Sequence, residues 1–516
     1  MDKKSAGSPA AVIEIGSSAV RMRVSQLRRG QIDILDTLEY PVYFGHEVFN
    51  DGKLSFESLR QLSVILSKFT SALQDYGCKN VRVVSSTVMR EARNRSFVAD
   101  QIKIHNGLDL EILEYSTEKA LICSEIIRIL SQDSSVDLRD VLIAYVGTGS
   151  IGVALYDGHA VSLSQNIPVG SLKLHDELGE LNEDGDGYYS VVEEYLDIVF
   201  DRVDIPTEEI RGVILTGSDL ELVASARRAD KRGDLYTVST AKLRDVYSQV
   251  RAMSYSAVAR RFGISEDRAE ILYTALSIYT GMLRLCRDQT KIICPDIDIC
   301  DAVTRHMLMP DAEREYRDMT WRSALVSAAR MAGKYNCNSA HAAAVSQFAT
   351  ALFDKMKKTH GLPDDRKLYL QLASALHSCG QYVNVRTRSQ CSFDMIKNFD
   401  IFGLTGQQLL TTAFIAGYGD PDSASSAAGE YYRLSEKKRL EIAKLAAVFR
   451  LANALDKSKR QKLTLSKLKI TEDKLIIKAD SSGSAMLEKW AFDECAGLFK
   501  DVFGLSPELH VRLKLL

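Results

Sequence analysis

The sequence lacks any uninterrupted apolar stretch close to the ~20 residues that a membrane helix requires. Its first apolar run is short and stops at Glu14, so it also lacks the hydrophobic core of a signal peptide. The nine cysteines include no Cys-x-x-Cys pair, and an odd number is typical of reduced thiols rather than a disulfide framework. These absences predict a cytoplasmic protein that has no membrane span and no structural zinc site.

A strong net charge is also missing, since 66 Lys and Arg residues nearly balance 68 Asp and Glu residues. A net charge of −2 provides no long-range field that would attract nucleic acid or another polyanion. Any polyanion must therefore bind in a local basic groove, and composition alone neither supports nor excludes an anionic substrate. We expect no nucleic-acid partner. Because only nine of the 516 residues are proline, disordered linkers are not expected, and the length predicts about three or four compact domains.

Two copies of one pattern occur before Pro310. Residues 11–25 read AVIEIGSSAVRMRVS and residues 141–156 read VLIAYVGTGSIGVALY, so each copy places a turn of small residues between two β-type runs. A second turn and a third apolar run follow each copy, and helical patterns come after them. The repeat predicts two α/β half-domains, at residues 1–133 and 134–310, each built on a three-stranded meander.

The pattern changes after Pro310. Long amphipathic segments follow with almost no β-type runs between them, which predicts an all-helical domain at residues 311–460. A hairpin pattern around Glu472 and an amphipathic segment at residues 486–503 predict a small α/β domain at residues 461–516.

The two small-residue turns have the chemistry of phosphate-binding loops. Glycine lets backbone N–H groups converge, and the neighbouring hydroxyl groups add hydrogen-bond donors. A single Gly/Ser turn between strands is structural in most proteins, but its duplication favours binding. We expect the loops around Gly16 and Gly147 to face one cleft and to hold a phosphate chain from both sides.

Several segments resemble motifs of the exopolyphosphatase / guanosine pentaphosphate phosphohydrolase (Ppx/GppA) family. Residues 14–22, EIGSSAVRM, are similar to the family's Asp-Ile-Gly-Ser-Asn-Ser-x-Arg-Leu, and residues 145–152, YVGTGSIG, to its Asp-Ile-Gly-Gly-Gly-Ser-Thr-Glu. The most specific match is SSTVMREARNR at residues 85–95, which resembles Ala-Thr-Ser-Ala-x-Arg-Glu-Ala-x-Asn. The resemblance covers essentially the whole chain. It implies duplicated actin-like ATPase (ribonuclease H-like) domains, an all-helical HD-like domain, a small α/β C-terminal domain and often a homodimer.

The resemblance also implies an activity and a set of site residues. The activity is hydrolysis of the terminal phosphoanhydride of inorganic polyphosphate or guanosine pentaphosphate, with Mg²⁺ held by one carboxylate from each loop. Glu118 corresponds to the glutamate implied to activate water, a task that a carboxylate within hydrogen-bond reach of the water is suited to. The phosphate-binding residues implied are Gly16, Ser17, Ser18, Arg21, Arg90, Arg93, Gly147, Thr148, Gly149, Ser150 and Lys173.

The sequence departs from the family at the expected metal ligands. Glu14 keeps a carboxylate, one methylene longer than aspartate, and is only a weak metal candidate. Tyr145 replaces the second aspartate with a phenol that is neutral near pH 7, Gly152 removes a glutamate, and Lys119 replaces the acidic neighbour of Glu118. Because phosphoryl transfer depends on charge neutralisation, two functions stay open. One is a phosphohydrolase with reduced activity, and the other is a catalytically inactive regulatory protein that binds polyphosphate or an alarmone.

The helical domain resembles the family's third domain, which is related to HD phosphohydrolases. His341 matches the first histidine, but the His-Asp pair reads His377-Ser378 and the next expected histidine is Cys391. With Asp456, these residues form a poor metal set. We predict that they are structural, that His377 does not bind a metal, and that the domain frames a channel or a dimer contact.

Overall fold

The computed structural model describes residues 7–133, 136–179, 186–217, 219–220, 230–232, 235–286, 291–417 and 428–514. The chain forms two compact units, Met1–Thr320 and Trp321–Leu516. The predicted boundary after residue 133 adjoins residues 134–135, which lie outside the described residues, and the finer division into four domains stays a prediction. No helix in the described ranges combines the length and the hydropathy of a membrane span.

The first half of the first unit is a sheet with helices packed on it. Its elements are β1 (Ala10–Ile15), β2 (Ala19–Arg28), β3 (Gln31–Pro41), α1 (Phe44–Asp51), α2 (Phe56–Asp75), β4 (Asn80–Ser85), α3 (Thr87–Glu91), α4 (Arg95–Asn106), β5 (Leu110–Ile112) and α5 (Tyr115–Ser131). The strand order is β3-β2-β1-β4-β5, with β1 antiparallel to β2 and parallel to β4. The central strand β1 is apolar almost throughout because both of its faces are covered.

The second half repeats this arrangement. Its elements are β6 (Val141–Val146), β7 (Ile151–Tyr156), β8 (Val161–Ile167), α6 (Ser171–Leu178), α7 (Asp186–Asp201), β9 (Gly212–Thr216), β10 (Asp230–Arg232), β11 (Leu235–Ser239), α8 (Thr240–Arg251), α9 (Tyr255–Phe262), α10 (Glu266–Met282), β12 (Lys291–Pro295) and α11 (Ile299–Leu308). The order β10-β11-β12-β9-β6-β7-β8 contains the same core as the first sheet, with the meander β6-β7-β8 beside the parallel strand β9. The predicted duplication of the meander is confirmed.

The strand register shows that the two copies correspond residue by residue. Glu14 on β1 lies opposite Arg21 on β2, and Tyr145 on β6 lies opposite Gly152 on β7. Each loop closes with the same bond at 2.9 Å, from the Gly16 N–H to the Ala19 carbonyl and from the Gly147 N–H to the Ser150 carbonyl. The alignment of Gly16 on Gly147 is therefore correct in the structure.

One predicted helix is divided. The sequence pattern indicates a single helix at residues 241–262, but the structure has α8 and α9 instead. The hydroxyl of Ser254 accepts a hydrogen bond from the Ala257 N–H and caps the second helix. Serine favours such an N-cap over a helix interior, so the helix is interrupted there.

The second unit is helical with a small sheet. Its elements are α12 (Ala312–Lys334, beginning in the first unit), α13 (Ser339–Lys355), α14 (Lys357–His360), α15 (Lys367–Leu376), α16 (Arg388–Lys397), α17 (Gly406–Gly417), α18 (Ala428–Tyr432), α19 (Glu436–Ala454), β13 (Leu463–Ile470), β14 (Lys474–Ser481), α20 (Met486–Phe503) and β15 (Ser506–Leu513). The strands form a sheet in the order β13-β14-β15. Its apolar face shares one core with the helices, in which Phe449 and Phe492 are fully buried.

Candidate active site

A polar cavity of about 310 Å³ lies where the two small-residue loops of the first unit meet. The Thr148 hydroxyl donates to the Ser17 hydroxyl at 3.0 Å, so the loops face each other directly, as predicted. Of the predicted site residues, the cavity lining contains Glu14, Gly16, Ser17, Ser18, Arg21, Glu118, Gly147 and Thr148, together with Tyr145. The repeated turns thus converge on one site.

The second loop presents only its first two residues to the cavity. Gly149 is enclosed, because a Cβ atom there would stand 2.3 Å from Cγ2 of Thr87 and 2.9 Å from the ring of Phe49. Ser150 is buried and does not line the cavity. In this structure Gly149, a predicted phosphate ligand, lets the loop pack closely against the first half, and Ser150, also a predicted ligand, is turned away from the cavity.

Glu118 occupies the first turn of α5 and is almost fully buried. Its Oε2 atom accepts a hydrogen bond from Nη1 of Arg90 at 3.0 Å. Arg90 itself does not line the cavity. The predicted base therefore faces the cavity, whereas the predicted phosphate ligand Arg90 stands behind it.

Two further predicted phosphate ligands point elsewhere. The Arg93 guanidinium is exposed and donates to the carbonyl oxygens of Asp51 and Gly52. The Lys173 ammonium pairs with Glu91, at 3.1 Å from Oε2. Neither side chain lines the cavity. The structure brings neither of them to the loops, and their assignment to phosphate binding stays a prediction without geometric support.

A network of carboxylates surrounds Arg21. The guanidinium lies 2.9 Å from Glu39, 3.1 Å from Asp298 and 3.7 Å from Glu14. Burial, together with the charge of Asp298, raises the pKa of Glu14 to about 7. Although burial opposes it, Arg23 lowers the pKa of Asp298 below its usual value. Arg21 thus lies among carboxylates, one of which is partly protonated at neutral pH.

The sequence prediction missed four acidic lining residues and one basic one. They are Glu39, Asp219, Asp296, Asp298 and Arg268. Asp296 and Asp298 directly follow strand β12, and Asp298 forms a capping box with Asp301 at the start of α11. An apolar run followed by an Asp-x-Asp-x-x-Asp pattern at residues 296–301 is the signal that would have indicated Asp296 and Asp298.

Tyr145 lies at the mouth of the second loop. A Cβ atom on Gly147 would stand 3.5 Å from its ring. Burial raises the pKa of Tyr145 well above its usual value, and the charges of Glu118 and Glu14 raise it further. Tyr145 is therefore a neutral phenol at any physiological pH.

The residues present do not fit the Mg²⁺ ion that the family resemblance implies. Mg²⁺ requires anionic or neutral oxygen ligands in a near-octahedral arrangement. Here the carboxylate side chains of Glu14 and Asp298 contact Arg21, and Tyr145 supplies no charge. Among the residues that the structure describes, no three His, Cys, Asp or Glu side chains are grouped as metal ligands.

The HD-like residues form a buried cluster within the second unit. Nδ1 of His341 lies 2.8 Å from Oδ2 of Asp456, and its Nε2 lies 3.1 Å from Oδ1 of Asn453. The His377 ring is 5.3 Å from that of His341, and burial lowers the pKa of His377 to about 3. Nδ1 of His377 lies 3.0 Å from the carbonyl oxygen of Ser374. Both ring nitrogens of His341 and Nδ1 of His377 thus lie within hydrogen-bond distance of protein groups, and the structural role of the cluster stays a prediction.

Comparison with known proteins decides the family. Residues 23–301 match the Ppx/GppA phosphatase family, and residues 324–490 match Ppx/GppA phosphatase domain III. The chain belongs to the Ppx/GppA phosphatase family. The fold is accordingly that of the actin-like ATPases in the first unit, with two repeated mixed sheets covered by helices, followed by a helical second unit that contains a small three-stranded sheet.

The relatives with established names are distant. Guanosine-5'-triphosphate,3'-diphosphate pyrophosphatase of Photobacterium profundum is 19% identical over 405 residues, which cover 77% of this chain and 78% of the relative. The protein of the same name from Vibrio atlanticus is 19% identical over 404 residues, with the same coverage. The crystal structure of an exopolyphosphatase from Cytophaga hutchinsonii is similar with a TM-score of 0.51 at 17% identity, over 58% of this chain and 97% of that one. That likeness shows the shared fold.

Proposed function

We propose that this Ppx/GppA phosphatase hydrolyses the terminal phosphoanhydride of inorganic polyphosphate or guanosine pentaphosphate, at a reduced rate. The observation that carries the proposal is the position of Glu118, which lines the same cavity as the two paired loops and is held there by Arg90. A carboxylate beside a polar cavity that can hold a water molecule has the chemistry of a general base. The names of the relatives supply the two substrate classes.

The lining residues suggest how the reaction proceeds. The terminal phosphate lies in the cavity against Ser17 and Thr148, whose loops offer N–H and hydroxyl donors on the same side, and Arg21 adds a positive charge. Glu118 accepts a proton from a water molecule as the water oxygen attacks phosphorus. The bond from phosphorus to the bridging oxygen breaks, which releases orthophosphate and a chain one phosphate shorter.

The reduced rate follows from the charges of the cavity. Its lining contains the carboxylates of Glu14, Glu39, Glu118, Asp219, Asp296 and Asp298 but only the guanidinium groups of Arg21 and Arg268. The transition state spreads negative charge over the equatorial oxygens of the phosphoryl group. Without a fitted divalent cation, the lining stabilises that charge poorly, so binding is less impaired than turnover.

Binding without turnover is the second candidate, and Tyr145 favours it. Its ring stands at the second loop where the family motif has a carboxylate, and it leaves the loops accessible. Such a protein would hold polyphosphate or an alarmone as a regulator.

One experiment separates the two functions. Purified protein is incubated with long-chain polyphosphate or guanosine pentaphosphate, with Mg²⁺ or EDTA, while released phosphate and ligand binding are both measured. Phosphate release that disappears in Glu118→Gln but persists in the surface control Glu57→Gln supports the hydrolase. Glu57 is suitable because its side chain is 85% exposed on α2. Binding without release in the parent supports the regulator, and the absence of both rejects the proposed site.

We further propose a cytoplasmic location, the four-domain division and a homodimer. All nine cysteines are free thiols in the structure, which supports a reducing compartment. Limited proteolysis tests the predicted boundaries, and light scattering tests the homodimer.

A further inference from the structure

We propose that Arg90 is a positioning residue for Glu118 rather than a ligand of the phosphate chain. The proposal rests on the proposed function, because it assigns a partner to the proposed base. It changes the role that the sequence motif suggests, since an arginine in a phosphate-handling segment is first expected to bind phosphate.

The guanidinium of Arg90 is held on several sides by the protein. Nη1 donates to the carbonyl oxygen of Leu113 at 2.6 Å and to Oε2 of Glu118 at 3.0 Å. Nη2 donates to the hydroxyl of Thr87 at 2.8 Å. The face of the group lies over the Tyr115 ring, with Cζ 3.5 Å from the ring centroid, a cation–π contact. These contacts leave one orientation for the side chain.

The aromatic support of Arg90 is itself fixed. The Tyr115 hydroxyl donates to Oε1 of Glu91 at 3.0 Å, and Glu91 pairs with the Lys173 ammonium at 3.1 Å. Lys173 belongs to α6 of the second half, whereas Glu91 belongs to α3 of the first. The base is therefore supported by a chain of contacts that joins the two halves, and Lys173 contributes to the site through Glu91.

The contacts also decide which oxygen of Glu118 faces the reaction. Oε2 is occupied by Arg90, and Oε1 has no hydrogen-bond partner among the residues that the structure describes. Because Glu118 lines the cavity, Oε1 is the atom left to accept a proton from water. Arg90 is not placed to contact the phosphate chain, since its side chain is only 11% exposed and lies outside the cavity lining.

Positioning and phosphate binding predict different kinetics. If Arg90 orients the base, Arg90→Met lowers kcat by on the order of 100-fold, as misplacement of a catalytic group by about 1 Å does, and changes KM by less than about twofold. Arg90→Lys recovers part of the loss, because an ammonium reaches one acceptor but not all three. Arg21→Met is the matched control, since Arg21 lines the cavity and its loss raises KM or Kd.

The experiment measures kcat and KM for phosphate release from polyphosphate, together with the Kd of fluorescently labelled polyphosphate, for the parent, Arg90→Met, Arg90→Lys and Arg21→Met. A Kd that rises in Arg90→Met as much as in Arg21→Met would show that Arg90 contacts the ligand, and would overturn the proposal. Recovery of kcat in Arg90→Ala by added guanidinium supports it, because a role limited to folding stability does not give that response.

Failure of the proposed function is recognised separately. If the parent releases no phosphate, the Kd values still test whether Arg90 contacts the ligand. If the parent also binds no polyphosphate, the contact is tested in the unliganded protein. The opening free energy of α5 is measured by hydrogen exchange for Arg90→Met, Glu118→Gln and the double variant, which together form a double-mutant cycle. Coupled effects then support the positioning contact, and additive effects overturn it.

Discussion

Glu14→Gln is expected to stabilise the first unit, by an amount that grows with pH. The Glu14 carboxyl has a pKa of about 7 in the folded protein against an ordinary value of 4.5, chiefly because it is buried and faces Asp298. Folding therefore favours the protonated form. In the parent, the stabilisation that protonated Glu14 contributes is fully present below pH 4.5 and is lost as the pH rises through about 7. Glutamine does not titrate, so the variant does not lose stability in this way.

The size of the effect follows from the two pKa values. With a pKa of 4.5 in the unfolded chain and about 7 in the folded protein, proton linkage lowers the free energy of unfolding of the parent by about 2.5 kcal/mol between pH 5 and pH 8. The carboxylate keeps 22% of its surface exposed and contacts Arg21, so screening reduces the effect. We expect a relative stabilisation of Glu14→Gln of about 1–2 kcal/mol over this interval.

The assay must report on the first unit alone. Both tryptophans, Trp321 and Trp490, belong to the second unit, so intrinsic fluorescence would follow the wrong region. Hydrogen exchange of peptides from β1 and β4, measured at several pH values, gives local opening free energies instead. The control is Glu39→Gln, which removes a half-exposed partner of Arg21 and should change stability by less than about 1 kcal/mol. A Glu14→Gln advantage that is constant or shrinks from pH 5 to pH 8 would refute the reasoning.

Three further predictions concern the loops, the altered positions of the expected metal ligands and the second unit. Gly149→Ala should lower the free energy of unfolding by about 1–3 kcal/mol and weaken phosphate binding, because its Cβ would collide with Thr87. Thermal unfolding and ligand titration check this, and the control is Gly179→Ala, where the added Cβ has open space around it. The triple variant Tyr145→Asp, Gly152→Glu and Glu14→Asp should gain Mg²⁺-dependent phosphate release, and a parent that is equally fast with Mg²⁺ would contradict the inferred loss of metal ligands. Asp456→Asn should lower the free energy of unfolding of the second unit by about 1–3 kcal/mol, because it removes a buried carboxylate that forms hydrogen bonds with His341 and Gln461. Tryptophan fluorescence in urea should show no comparable change for the exposed Asp394→Asn.

The parts of the fold that depend on local pattern were predictable. A small-residue turn between two β-type runs determines both the meander and the place of the loops that line the cavity, and its repetition around Gly16 and Gly147 indicates the second copy. The helix Met486–Phe503 was predicted with its bounds because its amphipathic pattern is uninterrupted and Gly504 adopts the left-handed conformation that ends it.

The charges of the site were not predictable in the same way. Arg21 and Asp298 are separated by 277 residues and meet only because β12 and α11 bring the aspartate back to β2. The role of Arg90 depends likewise on where its side chain points, and a motif records only that an arginine is present. Sequence reasoning located the cavity through its loops and missed most of its acidic wall.

The asymmetry between the two halves explains why a single substitution would not restore metal chemistry. In the first half the register sets Glu14 beside Arg21, 3.7 Å away, so the guanidinium competes with a metal for this carboxyl group. At the equivalent positions the second half sets Tyr145 beside Gly152, and a Cβ atom on Gly152 would already stand 3.4 Å from the side chain of Lys119. A glutamate introduced there would meet a buried lysine before it met a metal. An aspartate at residue 145 would add one ligand to a cavity in which most of the other carboxylates contact an arginine, and Mg²⁺ requires several oxygen ligands at once. Recovery of Mg²⁺-dependent turnover therefore requires changes on both strands of the second half and at Glu14, and the gain from Tyr145→Asp alone should be small.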